Sequence, residues 1–343
     1  MRITILDLKH PSVSICLTFS QKKKLLDVFK KNDIRFIISR KAIRLNRLRS
    51  IYEILPKERK ILVEKILEKV ELRAGNSKCI KVDFCIDLTP NLCWLNGFLL
   101  GDGSTLHVCR FYNINSTLTN EVNNIVKTHF GVETKKETNT QYNYIIPKPV
   151  LLVLEAFFGK KGKSVDARVP PIIYKLPKEY VASFIRGIFD TDGTVSGNPC
   201  ICTPNINLLN DLKHLLKEKF VIKSRIRQHN SKDYNEFDLT LGQFKKVDTF
   251  FNVLKFHEQI GFIHPNKRLK LDLKVKSRAL YSILQLVKGG FTDSYQISDI
   301  LDKDRSTIID HLNKLEKFNL IEKRIEYFGR NKNLKEFKWY SII

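Results

Sequence analysis

Asp102 and Asp192 each close an apolar run of helix-like composition, in "LNGFLLGDG" and "IRGIFDTDG", and stand ninety positions apart. Each run carries a glycine at its centre, Gly97 or Gly187, and the first has another, Gly101, beside its acid. Glycine inside a helix costs roughly 1 kcal/mol relative to alanine, so these residues need a packing reason. Close approach of two helix backbones supplies one. Packed around a pseudo-twofold axis, the helices would bring their C-terminal ends, and both carboxylates, side by side. Paired carboxylates repel unless a cation joins them, and hard divalent cations such as Mg²⁺ or Mn²⁺ take carboxylate and carbonyl oxygens. Two such ions roughly 3.5 to 4 Å apart stabilise the attacking and leaving oxygens of an in-line phosphodiester displacement. A twofold pair of acids suits a duplex, which has two antiparallel strands.

The surrounding elements repeat with the acids. Thr89 precedes Pro90 at the first helix start and Pro177 opens the second, which predicts a proline in each first turn. Behind the first acid come "STLHVCRFYNI", a helix "TNEVNNIVKTHF", polar strands through "QYNYIIPK" and a helix "PVLLVLEAFFG". Behind the second come "TVSGNPCICT", a helix "INLLNDLKHLLKEKF", strands "KSRIRQH" and "EFDLTLG", and a helix "FKKVDTFFNVLKFHEQIG". Phe130 and Phe220 keep the offset of ninety, so one αββαββα unit is duplicated.

Two further regions flank the repeats. Residues 1–85 suggest a hairpin from "RITILDL" and "SVSICLTF", a helix capped by Ser20, and a basic helical run broken at Pro56. Near the other end, "SRALYSILQLVKGG", "SYQISDIL" and a helix capped by Ser306 precede two strands around "GRNKN". Helix-turn-helix plus basic hairpin is similar to a winged helix. Its third helix would lie in the major groove with Arg305, Ser306, Thr307, His311 and Lys314 exposed. The expected divisions are therefore 1–85, 86–175, 176–275 and 276–343, in an α+β chain.

Sixty Lys and Arg against thirty-six Asp and Glu leave a net charge of +24 over 343 residues, a field that favours polyanions. No apolar stretch reaches the roughly 18 residues of a membrane span, and "MRITILDLKH" lacks a signal-peptide core, so the chain reads as cytosolic and soluble. The cysteines at 16, 79, 85, 93, 109, 200 and 202 form neither an even disulfide framework nor paired CxxC metal sites, and read as reduced, mostly core residues. Cys200 and Cys202 alternate in an apparent strand, where they could share a soft metal, but no histidine is near. DNA contact is expected from the strands: Arg110, Lys135 and Lys136 in one half, Arg225, Arg227 and Gln228 in the other, with Arg and Gln reading base edges and Lys binding phosphates.

Over about residues 86–275 the chain resembles the LAGLIDADG homing endonucleases, closely in "FIRGIFDTDGTV" and well in "WLNGFLLGDGST". "RVPPIIYKLPKEYVASF" and "QIGFIHPNKRLKL" are similar to flanks of intein-type and free-standing members. The resemblance implies that Asp102 and Asp192 bind the metals and that Lys267 is the second-half basic residue. In the first half, "GKKGKSVDARVP" offers Lys163 or Arg168 for that part. Leu100 stands where the family has an earlier acid and Asn96 where it has alanine; Asp190, the earlier acid of the second copy, reads as a hydrogen-bonding residue at the helix end.

The implied activity is a monomeric, Mg²⁺-dependent (or Mn²⁺-dependent), site-specific double-strand DNA endonuclease. A non-cleaving transcriptional regulator on the same scaffold is the alternative, favoured by the winged helix, and an intron RNA maturase is another. Intein splicing is disfavoured, because Met1 and the final "WYSII" offer neither the nucleophile nor the terminal Asn it requires.

Overall fold

A computed structural model describes the chain except residues 30–41, 76, 105–107, 139, 141, 162–165, 196–198, 231–234, 242–246, 277, 329–333 and 343. The fold is mixed α+β. It opens with β1 (Arg2–Thr4), β2 (Val13–Cys16), α1 (Phe19–Val28), β3 (Ala42–Arg44), α2 (Leu45–Glu53), α3 (Lys57–Ile66), β4 (Lys69–Ala74), β5 (Ile80–Asp83) and β6 (Cys85–Asp87). The expected hairpin does not form: β1 pairs with β6, while β2 lies between β3 and β4 in a sheet of order β3-β2-β4-β5. Alternation does mark β2, while "RITILDL" leaves the strand at Ile5 for a 3-10 turn, and period two marks a strand without naming its partner. The expected basic helical run likewise contains two strands, β3 and β4, the latter alternating exposed and buried over "KVELRA". Thr18, not Ser20, caps α1, in a reciprocal capping box with Gln21.

The duplication follows. Its first copy is α4 (Pro90–Asp102), β7 (Gly103–Ser104), β8 (Arg110–Tyr112), α5 (Ser116–Phe130), β9 (Lys135–Lys136), β10 (Asn143–Ile145) and α6 (Lys148–Phe158). Its second is α7 (Lys178–Asp192), β11 (Gly193–Thr194), β12 (Cys200–Thr203), α8 (Ile206–Phe220), β13 (Arg225–Asn230), β14 (Asn235–Thr240) and α9 (Val247–Gln259). The two four-stranded sheets have equivalent orders, β7-β8-β10-β9 and β11-β12-β14-β13. Local signals match as well: Asn115 caps α5 and Asn205 caps α8, each side chain accepting a backbone N–H. Pro90 occupies the first turn of α4, whereas Pro177 sits one position earlier, at the N-cap of α7.

The chain then runs through α10 (Pro265–Lys276), α11 (Ala279–Lys288), α12 (Ser294–Leu301), α13 (Arg305–Lys317), β15 (Ile321–Phe328) and β16 (Leu334–Ser341). The last two strands pair antiparallel. Helix α13 begins at Arg305 with Asp304 at its N-cap, so Ser306 lies inside the first turn instead of capping it. One apolar core runs from Ile3 to Trp339 through all of these regions. All seven cysteines are free thiols, but only Cys93 and Cys109 are buried, so most are not core residues. Among the described residues, no helix is long and apolar enough to cross a membrane.

Candidate active site and nucleic-acid interface

Helices α4 and α7 form the central seam, and their glycines explain how closely they meet. A Cβ on Gly97 would lie 2.1 Å from the Phe184 carbonyl oxygen, and one on Gly187 would lie 2.2 Å from that of Trp94. At Gly101 it would strike the Thr191 hydroxyl at 2.0 Å and reach Asp192 Oδ1 at 3.1 Å. Backbone therefore faces backbone along the seam, and the Asp192 carboxylate reaches the end of the opposite helix. Rings anchor each seam helix to its own half. Phe98 stacks on Trp94 and meets Phe111 edge-on, while Phe189 lies against Phe256 and Phe262.

Both acids stand at helix C-termini, the negative ends of the helix dipoles. Burial raises the Asp102 carboxyl above its ordinary range, against the Asn113 amide, which donates to Asp102 Oδ2 at 2.5 Å. Burial first and Asp102 second push Asp192 up to about 6. Each helix end also receives a lysine. Lys267, from the first turn of α10, donates to the carbonyls of Phe189, Asp190 and Thr191 at 3.1, 2.7 and 2.9 Å. Lys161, just after α6, donates to the carbonyl oxygens of Leu99 and, at 2.6 Å, Gly103. Burial lowers both ammonium groups, Lys161 to about 8, while the two acids pull them back up.

Among the described residues, the first-half lysine that reaches the helix end is Lys161, which sequence reasoning missed. Lys163 lies outside the described residues. Arg168 is engaged elsewhere, its guanidinium forking onto Asp211 at 2.6 and 2.7 Å. Lys161 was hard to find because the offset of ninety fails beyond α5 and α8: β13 and β14 each hold six residues, against two and three in β9 and β10. Asn113 was also missed, and its only sequence signal was its place just before the Asn115 cap.

Asp190 is 1% exposed and accepts three hydrogen bonds, from Trp94 Nε1 at 2.9 Å and from the backbone N–H groups of Ile263 and His264 at 2.8 and 2.9 Å. It ties the end of α7 to the loop that delivers Lys267. Leu100, its counterpart in the first copy, is buried and offers nothing equivalent. Asn96 places its amide nitrogen in the interior without a hydrogen-bond partner.

The sheets carry the other candidates. Lys135, Lys136, Arg225, Arg227 and Gln228 are exposed, and so is Arg110, which pairs with Glu137 at 3.0 Å. Arg225 and Arg227 share one face of β13; Gln228 belongs to the alternate face with Ile226, so the three cannot line a single reading row. Cys202 donates to Asp238 Oδ1 at 2.5 Å, and Cys200 lies within 4.8 Å of both groups. On α13, Arg305, Ser306 and Lys314 are exposed, while Thr307 and His311 are half-buried, with the His311 ring on the Thr307 carbonyl at 2.7 Å. The Arg305 guanidinium lies 3.6 Å over the Tyr295 ring and donates to Ser294 Oγ at 3.2 Å, which holds the first turn of α13 against α12.

Two stretches of the chain match known families. Residues 179–261 match the family model of the LAGLIDADG-like domain, and residues 281–323 match that of the bacterial regulatory protein, arsR family. Curated relatives include a DNA polymerase of Thermococcus litoralis, 29% identical over 41% of this chain and 8% of that protein. Others are the probable translation initiation factor IF-2 of Methanocaldococcus jannaschii, 24% over 81% and 23%, and elongation factor 2 of Methanopyrus kandleri, 30% over 57% and 15%. The chain thus spans less than a quarter of these relatives, whose names share no activity. Among solved structures, the homing endonuclease I-DmoI in complex with DNA and Mn is 14% identical, covering 50% of this chain and 96% of that one at a TM-score of 0.35. Full-length DUF199/WhiA from Thermatoga maritima is also 14% identical, covering 68% and 92% at 0.35. The chain therefore carries a LAGLIDADG-like domain over residues 179–261 and an ArsR-type helix-turn-helix over residues 281–323.

Proposed function

We propose that this protein binds duplex DNA and hydrolyses it at the paired acids with a divalent cation. The observation that supports cleavage is the convergence of Asp102 and Asp192 at the helix seam with one lysine on each helix end. The donor set fits Mg²⁺ or Mn²⁺: two hard carboxylate groups, half-buried at the negative ends of two helix dipoles, need a cation to remain ionised together. Bound there, such a cation would neutralise phosphate charge and ease deprotonation of the attacking water. The chain's own residues do the rest. Asn113 orients Asp102, Asp190 fixes the loop before α10, and Lys161 and Lys267 offset the helix-end carbonyls and present positive charge to the two scissile phosphates.

A second reading, a DNA-binding regulator that does not cut, is favoured by the match of residues 281–323 to a regulatory helix-turn-helix family. Both readings share the DNA partner and differ only at the acids. The deciding experiment incubates a randomised duplex library with Mg²⁺ or Mn²⁺ and the full chain, Asp102→Asn or Asp192→Asn. Cleavage by the native chain that either substitution abolishes supports hydrolysis. Equal, tight duplex binding by all three with no cutting establishes the regulator.

A further inference from the structure

The helix-turn-helix is not tethered to the repeats by a loose linker. Helix α9, the last of the second repeat, meets the C-terminal unit along its length. Phe251 stacks on Phe318, just past α13, with ring centroids 3.7 Å apart. The Arg278 guanidinium lies 5.8 Å over the Phe250 ring. About two turns on, the His257 ring meets Tyr281 edge-on at 5.6 Å and bonds Asp272 of α10 at 2.7 Å, while Glu258 pairs with Lys288 of α11. Phe250, Phe251, Leu271, Leu284 and Leu315 belong to the same continuous core. Stacked rings, a half-buried ion pair and shared apolar packing on three helices hold the two parts together, with no hinge among the described residues.

Helix α10 spans the distance between them. It starts at the acid pair, where Lys267 reaches the end of α7, and its 12 residues, about 18 Å, lead to the start of α11. The helix carries five Lys or Arg against one Asp, and Arg268, Lys270 and Lys276 are exposed. A basic path therefore runs from the acid pair to the helix-turn-helix. It leaves from the second repeat, whereas the next helix after the first repeat is α7.

We propose that the LAGLIDADG-like sheets and the helix-turn-helix engage one DNA duplex as a single rigid reader, with α10 along the backbone between them. The contacted site is asymmetric and longer on the side of the second repeat, and its two contacted segments stand at one fixed spacing. At 3.4 Å per base pair, α10 sets an offset of roughly 5 base pairs between the acid pair and the near edge of the helix-turn-helix contact. The inference rests on the DNA-binding reading, and needs no cleavage.

The test selects binding duplexes from random DNA with the full chain, maps contacts by hydroxyl-radical footprinting, and then inserts 5 or 10 base pairs between the contacted segments. A rigid reader gives an asymmetric footprint, and either insertion weakens binding at least about tenfold, to the level of a duplex lacking the distal segment. Phe318→Ser and Lys288→Ala, which loosen the α9 seam, recover binding to the inserted duplexes. A footprint symmetric about the acid pair, or native-chain affinity within threefold across the insertions, overturns the proposal while leaving DNA binding intact. Failure to select any duplex removes the DNA-binding reading, and this inference with it.

Discussion

The Trp94 indole N–H donates across the helix seam to the buried carboxylate of Asp190, 2.9 Å away, while the same carboxylate accepts the N–H groups of Ile263 and His264. One side chain thus joins the two repeats and fixes the loop that precedes Lys267. The first copy has Leu100 at the corresponding place, so Lys161 is positioned without such an anchor.

Asp190→Leu imposes the first copy's residue on the second. Three buried donors lose their acceptor, at about 1–3 kcal/mol each before relaxation, and the expected loss is about 3 kcal/mol in urea unfolding. Strand-resolved cleavage assays should show the strand served by Lys267 slowed more than the other. Equal slowing of both strands would mean that Asp190 acts only on stability.

Alanine at Gly97 or Gly187 meets a carbonyl oxygen of the opposite helix at 2.1 or 2.2 Å, and backbone cannot step aside. Either substitution should destabilise the chain by about 3 kcal/mol or more, read as a lowered midpoint in chemical denaturation. Gly101→Ala meets the Thr191 side chain instead, which can turn away. It should cost about 1 kcal/mol and weaken divalent-cation binding, measured by calorimetry.

The Asp192 carboxyl, held near 6 against about 3.9 in the unfolded chain, keeps a proton that the unfolded chain has released. It therefore favours folding below about pH 4, and this contribution disappears as pH rises through 6, by at most about 3 kcal/mol. The stability difference between the native chain and Asp192→Asn, followed in EDTA from pH 4 to 7, should change in that direction. Apparent Mn²⁺ affinity should run the other way, falling about tenfold per pH unit below 6 because binding must displace the proton.

Lys161→Met removes the first-half cation and should slow cleavage about 100-fold if that charge faces a scissile phosphate. Arg168→Met removes the fork onto the buried Asp211 carboxylate, which keeps the Val169 N–H, so it should cost about 1–3 kcal/mol and leave the rate unchanged. Single-turnover cleavage beside a thermal melt separates the two; a slow Arg168→Met with a native melt would reassign the basic partner.

Val221 ends α8 in the left-handed region at φ +55°, where the equivalent end of α5 has Gly131 at φ +63°. Valine is exposed there and strained. Val221→Gly should stabilise the chain by about 1 kcal/mol, seen as a raised midpoint without change in DNA affinity.

Much of this architecture was legible because it repeats. Two apolar runs ending in Asp-Gly and a common helix order reinforced each other, and the seam glycines announced close packing before any contact was known. The N-terminal region had no such second copy. Alternation showed β1 and β2, but β3 and β4 lay within a run that reads as helical, and β1 found its partner some eighty residues away in β6, a choice that no local pattern encodes. Lys161 was lost for a related reason: strands of unequal length shift the register between copies, so spacing alone pointed past it.

Amino-acid order by itself determined the duplication, the two acids at the helix ends, the basic surface and the C-terminal helix-turn-helix, because each is written in local periodicity, caps and composition. Only the tertiary structure decided that Lys161 reaches the end of α4, that Asp190 anchors one side alone, and that α9 packs against the C-terminal helices. Those outcomes depend on distances between residues far apart in the chain, where burial and competition for partners select one arrangement among many that the same spacing allows.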